Sequence, residues 1–132
     1  MSSLSLVLKL LAPVFFVIAG MHLVFGLDAE AMLGAQVSAR TAMDPTLNSQ
    51  NRFYGVAFAL YGVILAMSAG DIPRYAPILK ASMIIFFVAG LSRIVSWVLE
   101  GQPALPVVLL TGVELVAPLL LLFWLTRARA TG

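Results

Sequence analysis

Four long apolar runs, almost empty of charge, decide what this chain can become. Residues 10–27 and 53–70 contain no Asp, Glu, Lys or Arg; residues 81–99 are broken only by Arg93, and residues 104–126 only by Glu114. Each run is close to the roughly 20 residues that an α-helix needs to cross about 30 Å of hydrocarbon. Membrane strands would alternate apolar with polar positions, and these runs do not. The sequence therefore predicts an all-α, four-transmembrane-helix bundle. Its spans fall at about 5–27, 52–70, 78–99 and 104–126, in one membrane domain covering residues 1–132. A secretory signal is the other reading of the first run, but it is longer than a signal core and no A-x-A-type cleavage site follows.

Composition excludes several classes of function. With 61% hydrophobic and 11% charged residues, the chain carries more apolar surface than a soluble domain of 132 residues can bury. It has no cysteine, which removes disulfides, thiolate chemistry and cysteine-based metal sites. The eight Lys and Arg residues stand singly rather than in a stripe, so nucleic acid is not an expected partner.

The charges instead report orientation. Lys9, Arg74, Lys80, Arg127 and Arg129 lie at the N-terminal end, the second loop and the C-terminus. The first and third loops carry Arg40 and Arg52 against Asp28, Glu30, Asp44 and Glu100. The positive-inside rule then puts both termini in the cytoplasm, and the long loop 28–51 outside. Within that loop, Asp28 to Leu33 before Gly34 reads as a short helix in the headgroup region. Asp44–Pro45 reads as the N-cap and first position of the second long helix. Tyr54 and Trp97 suit the outer interface, and Tyr75 and Trp124 the inner one. A faint likeness between Phe15–Gly20 and Phe86–Gly90 leaves a hairpin duplication open.

Small residues mark where membrane helices touch. The second span offers Gly55, Ala59, Gly62 and Ala66 as one stripe, and the first offers Phe15, Ala19, His22 and Gly26. The third offers Ala89, Gly90, Arg93 and Ser96; the fourth offers Thr111, Glu114 and Ala117. The polar residues ride on these same stripes, so they are expected to point inward. At about 1.5 Å per residue, His22 and Arg93 lie roughly 8–9 Å, and Glu114 up to roughly 15 Å, from the outer ends of their helices. Pro118 leaves the Glu114 carbonyl without its helical donor and predicts a kink that adds an acceptor for Arg93.

These positions define a candidate site of His22, Asn51, Arg52, Arg93 and Glu114. A charge in hydrocarbon is expensive enough to demand a partner, so an Arg93–Glu114 ion pair is expected, either as a lock or as part of a site. His22 is the single histidine and makes a poor metal site; no metal or cofactor is expected. Arg52 and Arg93 against Glu114 leave one positive charge over, which Asp28, Glu30, Asp44 or an anionic ligand could balance. Three functions follow. The first is binding of a membrane lipid or small amphiphile in an outward polar pocket. The second is an enzyme, an isomerase or hydrolase of a lipid-soluble substrate. There Glu114 or His22 is the catalytic acid or base, and Arg93 stabilises developing negative charge. The third is a structural subunit, as a homo-oligomer or with a membrane-complex partner.

Four runs carry a resemblance. Gly20-Met21-His22-Leu23-Val24-Phe25-Gly26, Ser49-Gln50-Asn51-Arg52-Phe53-Tyr54-Gly55, Gly90-Leu91-Ser92-Arg93 and Glu114-Leu115-Val116-Ala117-Pro118 resemble a bacterial family of small four-helix membrane proteins catalogued only as a domain of unknown function. The likeness extends over about residues 11–124, and Gln50 to Gly55 is its most specific part. More loosely, the architecture is similar to that of DoxX-like proteins. The resemblance implies four spans and a bacterial inner-membrane location, and no particular reaction.

Overall fold

The computed structural model describes residues 2–130, with the side chains of residues 129 and 130 outside the description, so the Arg129 side chain used in the orientation argument lies outside it. The described residues are mostly helical, with no strand among them, and four helical stretches are long and apolar enough to cross a membrane. Helix α1 (Ser3–Phe25) starts at Ser2, whose hydroxyl accepts from the Ser5 amide. It ends where Gly26 takes a positive φ of 58° and its amide donates to the His22 carbonyl. A side chain at Gly26 has no room, since a Cβ would come within 2.5 Å of Asn48 Oδ1.

Two short helices fill the long loop: α2 (Asp28–Met32), stopped before Gly34, and α3 (Ala39–Ala42), which the sequence reading does not anticipate. The signal for α3 is Ser38, whose hydroxyl caps the Thr41 amide. Helix α4 (Pro45–Val56) begins as expected on Asp44, whose carboxylate accepts from Leu47 N, with Pro45 in the first turn. The second span then breaks at Ala57 and resumes as α5 (Phe58–Gly70). One residue, Asp71, separates α5 from α6 (Ile72–Glu100), and its side chain caps Arg74 N. Arg74 and Lys80 therefore stand on α6 rather than in a loop. Gly101, at φ 103°, ends α6, and α7 (Leu105–Ala130) runs through Pro118 without interruption.

Helix α1 packs mainly on α5 and α4, α5 also packs on α6, and α6 on α7, whereas α1 meets α7 only sparsely. The bundle is thus a row folded round on itself, with a loose closing seam between its first and last long helices. Glycines set the tight crossings. A Cβ on Gly62 would lie 3.0 Å from the Phe16 ring and 3.1 Å from the Ala12 carbonyl, and one on Gly90 would lie 3.2 Å from Glu114 Cβ. The expected stripes hold only in part: Gly55 and Gly62 are buried, but Ala66, Ala89 and Ser96 are exposed. Helix α5 is wedged between α1 and α6, so its buried arc centres on Leu65 and Ser68 and leaves Ala66 outside.

The two ends of the bundle differ. Toward the chain termini, Leu4, Leu8, Leu65, Leu79, Met83, Leu121 and Leu125 form a continuous apolar core. Serines are the buried polar groups there, with Ser5 Oγ donating to the Ala69 carbonyl at 2.6 Å and Ser82 Oγ to that of Ile78 at 2.8 Å. Phe15, Phe58, Tyr61 and Phe86 stack above this core, with ring centres 5.2–6.2 Å apart. Beyond the aromatic layer lies the end that carries the long loop.

Candidate functional site

At the loop end two hydrogen-bonded groups face one space. In the first, α2 folds back under the end of α1 and brings Glu30 against His22. His22 is buried, with Nδ1 2.9 Å from the Ile18 carbonyl and Nε2 3.2 Å from Glu30 Oε1. Asn51, from α4, donates through Nδ2 to the same carboxylate oxygen at 2.7 Å. Because a carboxylate can only accept from Nδ2, the amide orientation is fixed. Asn51 Oδ1 is left as a buried acceptor with no partner.

The second group is the Arg93–Glu114 pair. Arg93 Nε and Nη2 donate to the two oxygens of the Glu114 carboxylate, the latter at 3.0 Å, in a fork-to-fork arrangement. Glu114 is only 5% exposed. The carboxylate, rather than the carbonyl that Pro118 frees, is what Arg93 takes. Gly90, one turn from Arg93, lets α7 come close enough for this geometry.

Between the groups is a cavity of about 370 Å³. Ile18, Met21, Tyr54, Phe58, Val107 and Leu110 give it apolar walls, and His22, Glu30, Asn51 and Arg93 supply the polar positions. A second cavity, of about 100 Å³ and bordered by Glu114 but exposing only apolar surface, lies deeper along α1 and α7, near Ala117 and Pro118. Unfilled apolar space is costly. At about 24 cal/mol per Å³, a void of that size costs on the order of 2 kcal/mol.

Of the five residues expected to converge, the structure brings together His22, Asn51 and Arg93, with Glu114 behind Arg93. Arg52 goes elsewhere. Its Nε donates to the Leu23 carbonyl at 3.0 Å and its Nη1 lies 3.4 Å from Asn48 Oδ1. It borders a shallow outer groove with Leu23, Phe53 and Leu60, not the cavity. The cause is local: one residue after Asn51 on a helix is rotated by about 100°, so when Asn51 faces inward Arg52 turns toward the end of α1. Glu30, foreseen only as one of three charges that might balance the site, is the residue that joins its first group. The signal for it is the pairing of a helix stop at Gly26 with a new helix only two residues later. Among the described residues, no three of His, Asp, Glu and Cys gather into a metal-binding cluster.

Four apolar helices, a polar end and a buried ion pair define a helical protein with the architecture of a multi-pass membrane protein. The chain belongs to the family described as a domain of unknown function (DUF4345), whose profile matches residues 3–125. Neither curated proteins nor solved structures give a match.

Proposed function

We propose that this protein binds a small amphiphile in the loop-end cavity, with the ligand's polar head among His22, Glu30, Asn51 and Arg93. The observation that carries this reading is a mainly apolar cavity of about 370 Å³ whose wall also holds His22, Glu30, Asn51 and Arg93. That volume falls in the range of small-molecule sites, where apolar walls with a few fixed polar groups are the rule.

The charge pattern argues for an uncharged head. Arg93 is balanced by Glu114, Glu30 is held by His22 and Asn51, and Arg52 faces away. The surplus positive charge that would call for an anion is therefore missing from the cavity. A hydrolase or isomerase reading has less support, because both His22 nitrogens are engaged and Glu114 borders the apolar cavity alone. With the positive-inside orientation, the site opens at the outer face of a bacterial inner membrane.

Native mass spectrometry of mildly solubilised protein tests the reading. Wild-type protein should retain a neutral amphiphile, and Val107→Trp, which fills the cavity, should release it. Wild-type protein that is empty under conditions preserving the fold would overturn the proposal.

A further inference from the structure

We infer that the two cavities are compartments of one site, and that its occupant carries a single flexible hydrocarbon chain lying in the seam between α1 and α7. This rests on the binding reading given above and extends it from the head of the ligand to its tail. Ile18 of α1 and Leu110 of α7 line both cavities, so the two spaces share part of their apolar wall. Both follow α1 and α7, the pair of neighbouring long helices with the sparsest contact. The deeper space offers no polar surface, so water has nothing there to bond to and a hydrocarbon is the fitting occupant. It is also narrow: about 100 Å³ against about 370 Å³ for the upper space. Two acyl chains side by side do not suit it.

The arrangement specifies a ligand class: one uncharged head with both a hydrogen-bond donor and an acceptor, and one slender tail. The donor answers the Glu30 carboxylate, of which Oε1 alone is taken by His22 and Asn51, and the acceptor answers the Arg93 N–H groups that Glu114 leaves unused. A long straight-chain alcohol meets both requirements.

The test uses two photoreactive straight-chain alcohols, one with a diazirine beside the hydroxyl and one with it at the far end of the chain. Both are added to the full chain in detergent, and labelled residues are located by peptide mass spectrometry. The head-proximal probe should label Met21 or Val107, and the tail probe Met83, Phe86 or Ala117. Ala117→Phe should reduce tail labelling by roughly tenfold, the equivalent of about 1.4 kcal/mol, and spare head labelling. Wild-type labelling stands on its own if that variant does not fold. Head labelling at Met21 or Val107 with tail labelling on the exposed Leu109, Val116 or Leu120 would overturn the inference and leave the binding reading intact. No labelling at either set of interior positions would overturn both.

Discussion

Gly55 of α4 sits directly against His22 of α1: a Cβ built on this glycine falls 2.2 Å from His22 Cβ and 2.4 Å from its Cγ. The contact places the imidazole because no other residue leaves space for it. Gly55→Ala therefore forces either α4 or the ring to move. Overpacking of this kind costs about 1–3 kcal/mol. Thermal unfolding in detergent should show a lower Tm for Gly55→Ala, while Ala66→Leu, at an exposed position facing outward, should leave Tm unchanged.

The Arg93–Glu114 pair is open to a double-variant test. Glu114→Leu leaves the guanidinium without its counter-charge, and because the Arg93 side chain is 35% exposed the loss should fall below that of a fully buried pair, at about 1–2 kcal/mol. Arg93→Met combined with Glu114→Leu removes both charges together and should recover much of that loss. Unfolding of Glu114→Leu, Arg93→Met and the double variant decides it. Equal losses for the single and double variants would refute a paired role.

Glu30 should matter more than its place in a loop suggests. Glu30→Ala takes the shared acceptor from His22 and Asn51, at about 1–2 kcal/mol for a charge-assisted hydrogen bond. The imidazole 15N resonances should shift as Nε2 loses its partner, whereas Asp28→Ala should leave them in place. Unchanged resonances in Glu30→Ala would mean that the contact does not hold the ring.

Arg52 is expected to act as a brace for the end of α1, not as a ligand contact. Arg52→Ala removes the donor to the Leu23 carbonyl and should cost about 1 kcal/mol. It should speed hydrogen exchange at Gly26 and Leu27, whose amides donate to His22 O and Asn48 Oδ1. Ligand retention in native mass spectra should be unaffected. Loss of ligand with α1 intact would return Arg52 to the site.

The long helices and the inward polar residues could be read from the sequence because lipid punishes exceptions severely. A lone Arg93 or Glu114 in an apolar run must turn toward a partner, and small residues beside it show which way is inward. Asp44–Pro45 and Gly34 worked for a similar reason, since each stops or starts a helix through its own backbone chemistry. What stayed hidden depended on how helices sit against one another. The turn of Arg52 away from the cavity follows from the angle at which Asn51 is presented, and the exposure of Ala66 follows from α5 touching two neighbours. Neither can be deduced from spacing along one helix. Glu30 was obscured because the path of a loop is set by what it lands on.

Asp71 has a further effect on how this molecule holds together. With one residue between them, α5 and α6 form a hairpin too tight to splay, so the two move as one piece. Helices α1 and α7, tied to that hairpin by longer connections, flank it and touch each other least. Their seam is the place where the bundle gives way at the smallest loss of packing.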